Sequence, residues 1–137
     1  MEQEEKKELT LNEYQVKAMT TCMDSCSNFS YMMLNLVGEV GEFASKVGKQ
    51  IRKEHYEIHH GVIINGCKCQ ELDGADWDNL NDELKKEAGD ILWQLSGLCG
   101  VMGWSLEDVA QMNLDKLAAR KKAGTIDGSG DGIIREK

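Results

Sequence analysis

The chain has 137 residues, enough for one domain with a modest core, and 41% of them are hydrophobic, which argues against wholesale disorder. Its formal net charge of −8 and pI near 4.9 disfavour nucleic-acid polymers and anionic membranes as partners, since both need an excess of Lys and Arg. No apolar run approaches the roughly 18 residues of a membrane span. The charged start MEQEEKKELT is not a secretory signal, so a cytoplasmic location is expected. Five cysteines (Cys22, Cys26, Cys67, Cys69, Cys99) fit reduced thiols, because an odd count cannot complete an intrachain disulfide framework.

After a polar lead-in over residues 1–9, Thr10 and Glu13 form a capping box, predicting a helix from Leu11 towards Cys22. The stretch from Asp24 to Asn28 reads as a break. A second helix is predicted over Ser30 to Arg52, with Met33, Leu36, Val37, Val40, Ala44, Val47 and Ile51 as its core stripe. Glu39, Glu42, Lys46, Lys49 and Lys53 form a second row. By itself such a row is an ordinary solvated face with pairs such as Glu42 and Lys46. Gly38 and Gly41 change that reading. Each costs about 1 kcal/mol inside a helix, so a close approach of another helix or a ligand is expected there.

Residues 54–80 are the least helical part and read as an irregular insert. Val62 to Cys67 suggests half of a small hairpin with Asn65-Gly66 as the turn, or else an irregular loop. A third helix is predicted from about Asn81 to Met102. Its core stripe is Leu84, Ala88, Ile91, Leu92, Leu95, Leu98, Cys99 and Met102, and Glu83, Glu87, Asp90 and Gln94 share another row. Ser105, with Asp108 at N3, caps a fourth helix that directs Leu106, Val109, Ala110, Asn113 and Leu117 inward and ends in Arg120-Lys121-Lys122 before Gly124. The expected architecture is all-α, an antiparallel bundle of four to five helices occupying residues 1–124, with a flexible tail over 125–137.

Two acid pairs carry the chemistry: Glu39-Val-Gly-Glu42 and Glu87-Ala-Gly-Asp90. Spacing of i, i+3 puts each pair on one helix face, and two such helices packed together would gather four carboxylates. Four anions in a partly buried place repel and resist desolvation, and a divalent hard cation resolves the conflict. Neither pair contains the His of Glu-x-x-His di-iron bundles, so Mg²⁺, with Mn²⁺ as a substitute, and phosphate chemistry are expected. Asn113, Lys116 and Arg120 form a polar row that reads either as a phosphate contact or as ordinary C-terminal helix charge. Trp93 reads either as a base contact or as core. His55, His59, His60, Cys67 and Cys69 match no zinc spacing. Asp127-Gly-Ser-Gly-Asp131 opens like a calcium loop, but the chain ends before the required Glu.

The segments LNLVGEVGEFASKV, ELKKEAGDILWQL and SLEDVAQMNLDKLAARK, together with LNEYQVKAMT, resemble the MazG-like all-α nucleoside triphosphate pyrophosphohydrolases. The resemblance spans roughly residues 9–53 and 80–122. It implies that Glu39, Glu42, Glu87 and Asp90 ligate Mg²⁺ and serve catalysis, one of them or Glu83 helping to activate water. It implies cleavage of a nucleoside triphosphate between the α- and β-phosphates, and contacts to the triphosphate from Lys116, Asn113 and Arg120. Lys46, Lys49 and Lys53 are weaker candidates for the same role. In many relatives the position four after the second motif's Asp is an aromatic that stacks near the base; here it is Gln94. The resemblance also implies a homodimer or homotetramer. The rival readings are a nucleotide or metal sensor without turnover, and a helical interaction module.

Overall fold

The computed structural model describes residues 7–59, 61–65 and 73–127. Its elements run α1 (Leu11–Met19), a one-turn 3₁₀ segment (Asp24–Cys26), α2 (Phe29–Arg52), β1 (Tyr56–His59), β2 (Val62–Asn65), α3 (Gly74–Val101) and α4 (Leu106–Ala123). The chain is all-α apart from the small hairpin, as its helical periodicity predicts. Local chemistry sets the helix ends. Thr10 and Glu13 close a reciprocal capping box on α1. Asn28, Asp73 and Ser105 accept from the N3 amides of α2, α3 and α4. Gly124 ends α4 in the left-handed region at φ 72°.

Two boundaries differ from expectation. α3 begins at Gly74 rather than near Asn81, because Asp73 supplies the cap and the following seven residues are helical. The hairpin turn also lies elsewhere. Val62–Asn65 is the second strand and pairs antiparallel with Tyr56–His59, in the register Tyr56 with Asn65 and His59 with Val62. The turn therefore precedes Val62, and Gly61 just before that strand takes φ 77°, a left-handed conformation that suits glycine. Gly66, Cys67 and Cys69 lie outside the described residues, as do His60 and the tail from 128 onward.

The long α2–α3 pair is the body of the fold. At its crossing Met32 is 1% exposed and packs on Gly97, where an added Cβ would collide with the Met32 side chain. Cys99 is buried as the α3 stripe predicts. α1 is tied on by polar bonds. The Trp93 indole N–H donates to the Ala18 carbonyl at 3.1 Å and to Thr21 Oγ1 at 2.9 Å. Gln15 Nε2 donates to the Trp104 carbonyl at 3.1 Å, while its Oε1 accepts from the Leu106 amide at 2.8 Å. That glutamine joins the end of α3 to the start of α4.

The predicted core stripes need correction on three helices. On α3, Ala88 and Met102 are exposed, while Glu87 and Gln94 of the other row are buried against α2's side of the fold. On α2, Met33, Val37, Val40, Ala44 and Ile51 are exposed, Val37 by 67%. The face turned towards α3 instead carries Met32, Asn35, Glu39 and Lys46. Gly38 and Gly41 belong to the outer side, and among the described residues no other element closes on them: a Cβ at Gly41 meets no atom within 4 Å, and one at Gly38 meets only Asn35 Oδ1 of the same helix at 3.9 Å. On α4 only Leu106 is buried. Leu117 and Asn113 are exposed, so the helix is held at its N-terminal end.

Candidate metal centre

Residues three and four apart on α2 (Asn35, Glu39, Glu42, Lys46) form one continuous row, and α3 crosses it with Glu83, Glu87 and Asp90. Three carboxylates converge: one oxygen each from Glu39, Glu42 and Glu87 lies within 4.8 Å of the others. Glu87 is 8% exposed. Its Oε1 meets Lys46 Nζ at 2.5 Å, and its Oε2 is buried with no hydrogen-bond partner. A sealed carboxylate oxygen without a donor costs about 1–3 kcal/mol or more, and an oxygen-seeking cation satisfies it. The donor set, all carboxylate oxygen, suits Mg²⁺ or Mn²⁺.

Electrostatics extends the cluster to the fourth acid. Burial raises the Glu39 carboxyl above the usual carboxylate range, and the charges of Glu42, Asp90 and Glu87 push it further. Asn35 Nδ2 partly opposes this by donating to Glu39 Oε1 at 3.2 Å. Asp90 is exposed beside the trio, and its charge reaches both Glu39 and Tyr14 of α1. Lys46 is held above its ordinary value, first by its bond to Glu87 and then by the charges of Glu87, Glu83 and Glu42. Its ion pair is thus across the helix interface, to Glu87, rather than along α2 to Glu42.

The remaining predicted residues are distributed more widely. Lys49 is exposed one turn along from Lys46, at a cleft that also includes Glu83 and Tyr56. Trp93 commits its N–H to the end of α1. Asn113 and Lys116 are exposed on α4, Arg120 is half-buried, and none of the three belongs to the convergent acid group. Sequence reading missed Asn35, whose position four before Glu39 is a usable signal. It also missed Tyr31, whose phenol interacts with Cys26 and Gln94 and feels Glu39. Gln94 is 3% exposed, with Oε1 unpartnered.

A pair of long packed helices that gathers three carboxylates, one of which keeps a buried oxygen without a partner among the described residues, is a candidate site for a hard divalent cation. The family comparison makes this specific: a model of the MazG nucleotide pyrophosphohydrolase domain matches residues 27–125, and the chain belongs to that family. A relative, the Gene 37 protein of Mycobacterium phage L5, is 34% identical over 125 residues, covering 86% of this chain and 94% of that protein. No solved structure matches significantly. No helix among the described residues is long and apolar enough to cross a membrane.

Proposed function

We propose that the chain hydrolyses a nucleoside or deoxynucleoside triphosphate between the α- and β-phosphates, releasing the monophosphate and pyrophosphate, with Mg²⁺ as cofactor. The observation that carries this is the convergence of Glu39, Glu42 and Glu87, the last of which keeps a buried Oε2 without a hydrogen-bond partner among the described residues. Glu39, Glu42, Glu87 and Asp90 would hold the cation. A divalent cation bound there supplies Lewis-acid polarisation of a phosphoryl oxygen and lowers the pKa of water.

The protein's own groups do the rest. Glu39, Glu42 and Glu87 hold their oxygens on two packed helices, so little reorganisation is needed when charge develops. Lys46 balances the charge of Glu87 across the helix interface and would limit the net charge of the acid cluster with a cation bound. Glu83, exposed and within electrostatic reach of Lys46, would take a proton from attacking water. Asn113, Lys116 and Arg120 would contact the triphosphate from α4.

We also propose a homodimer or homotetramer formed through the outer face of α2. Phe29, Leu34, Val37 and Val40 are 53%, 75%, 67% and 49% exposed there. Burying such side chains on both sides of a two-fold contact would contribute on the order of 10–15 kcal/mol, enough to offset an association cost of about 4–15 kcal/mol. Gly38 and Gly41 leave room for close approach.

The test is a turnover screen with Mg²⁺ and a panel of ribo- and deoxynucleoside triphosphates, detecting pyrophosphate and orthophosphate separately. Pyrophosphate from a subset is expected. Orthophosphate alone would overturn the cleavage position. Stoichiometric binding without product would replace the enzyme with a sensor.

A further inference from the structure

Beside the acids lies a smaller cleft of about 110 Å³, lined by Lys46, Lys49, Gln50, Tyr56, Glu83 and two leucines. Its size decides its occupant. A small-molecule pocket usually measures about 300–1,000 Å³, and a water's share of liquid is about 30 Å³. This cleft therefore has room for phosphoryl groups and none for a nucleoside. Its charged lining is two lysines against one carboxylate.

Tyr56 makes the cleft more than a pair of surface lysines. The residue is 3% exposed, and its hydroxyl is buried with no hydrogen-bond partner among the described residues. The ring already has a structural task, packing edge-on against Trp77 at 5.2 Å and 72°. Phe would do that equally well and would avoid burying a hydroxyl without a partner. The hydroxyl lies within electrostatic reach of Glu83, another residue of the cleft, and burial and that charge keep it protonated as a donor. The end of α2 sets the position. The His55 amide reaches back to the Gln50 carbonyl at 2.9 Å and Glu54 takes φ 60°, so the chain folds back and seats Tyr56 against the helix it has just left.

We infer that Tyr56, delivered by the hairpin insert, and Lys49 form a subsite for the terminal phosphates of the substrate and for pyrophosphate on its way out. Resting on the pyrophosphohydrolase reading, this gives the insert a role in substrate recognition. The Tyr56 hydroxyl donates to a phosphate oxygen, Lys49 adds a charge-assisted bond, and the nucleoside stays outside the cleft.

The test is calorimetric titration of the full chain with inorganic pyrophosphate in Mg²⁺, comparing wild type, Tyr56→Phe and Lys49→Met, with melting temperatures and turnover of a triphosphate alongside. Each variant is expected to bind pyrophosphate about tenfold more weakly, the worth of one hydrogen bond to a charged group. Tyr56→Phe should melt no lower than wild type without ligand. Unchanged pyrophosphate affinity in Tyr56→Phe, in a wild type that hydrolyses triphosphates, overturns the subsite and leaves the hydrolase reading intact. A fall in affinity matched by a fall in melting temperature also overturns it, since Tyr56 would then be merely structural. A wild type that hydrolyses no triphosphate yet binds pyrophosphate through Tyr56 upholds the subsite and sinks the hydrolase.

Discussion

The two sides of α2 invert the usual arrangement of a surface helix. Its inner side, against α3, holds Glu39, Lys46 and the buried Glu87 opposite, whereas its outer side shows Leu34, Val37 and Val40 to solvent. Burial normally selects apolar groups and leaves charges wet. Apart from Met32, buried at the crossing, α2 departs from this rule, leaving an electrostatic demand inside and a hydrophobic demand outside. The lesson is that burial left a polar group unpartnered on one side and apolar groups in water on the other. Glu87 keeps an oxygen without a donor among the described residues, and Leu34, Val37 and Val40 stay exposed, the two features that the proposed cation and the proposed self-association would answer.

Removing the inner demand should have the largest effect. Glu39→Gln is expected to lower turnover by about 10³-fold while raising the melting temperature of the metal-free chain, because a like-charged, partly buried carboxylate is gone. Steady-state rates and thermal melts with and without Mg²⁺ check both halves, and full activity would refute the ligand assignment. Met32→Ala attacks the helix crossing that positions the acids. It should cost about 3 kcal/mol in denaturant unfolding, and a cost below about 1 kcal/mol would show that the crossing is not where the pair is held.

The outer demand is probed by Val37→Glu. A charge placed in an apolar contact should weaken self-association by about 100-fold, read by sedimentation equilibrium. An unchanged mass would mean that α2's outer face is not the contact.

Acidity separates the two faces further. The folded chain holds the Glu39 proton more tightly than the unfolded chain does. Between the ordinary carboxylate value and Glu39's raised one, lowering the pH therefore stabilises the metal-free protein. Mg²⁺ needs the carboxylate ionised, so the same change weakens metal binding, by at most about tenfold per pH unit for one released proton. Mg²⁺ titrations across that range should show opposite slopes for metal-free stability and metal affinity; parallel slopes would exclude Glu39 as a ligand. The smallest effect belongs to a site remote from both faces. Thr10→Ala removes the α1 cap bond at 3.1 Å and should cost about 1 kcal/mol with turnover unchanged, measured on the same samples.

Much of this was legible locally. The caps at Thr10 and Ser105, the end at Gly124 and the spacing of Glu39, Glu42, Glu87 and Asp90 all depend on neighbours within four residues. The direction of α2's apolar stripe was not legible. Periodicity shows that a helix has two faces but not which one meets a neighbour in the same chain. The close approach expected at Gly38 and Gly41 is not made by any other element among the described residues; the tight contact is at Gly97, whose neighbour Met32 is distant in sequence. The start of α3 was obscured by the polar run before Asn81, where a good cap at Asp73 outweighed weak apolar patterning.

By itself the sequence determined the helices, their caps and two acid pairs at helical spacing, because those follow from short-range backbone geometry and side-chain periodicity. Only the tertiary structure decided that Lys46 answers Glu87, that Glu87 keeps an oxygen without a donor, and that Tyr56 is seated beside Lys49 with its hydroxyl unpaired. These depend on the crossing of α2 and α3 and on the fold-back after Arg52. Such long-range placements are settled by the competition between burying apolar surface and keeping every polar group satisfied.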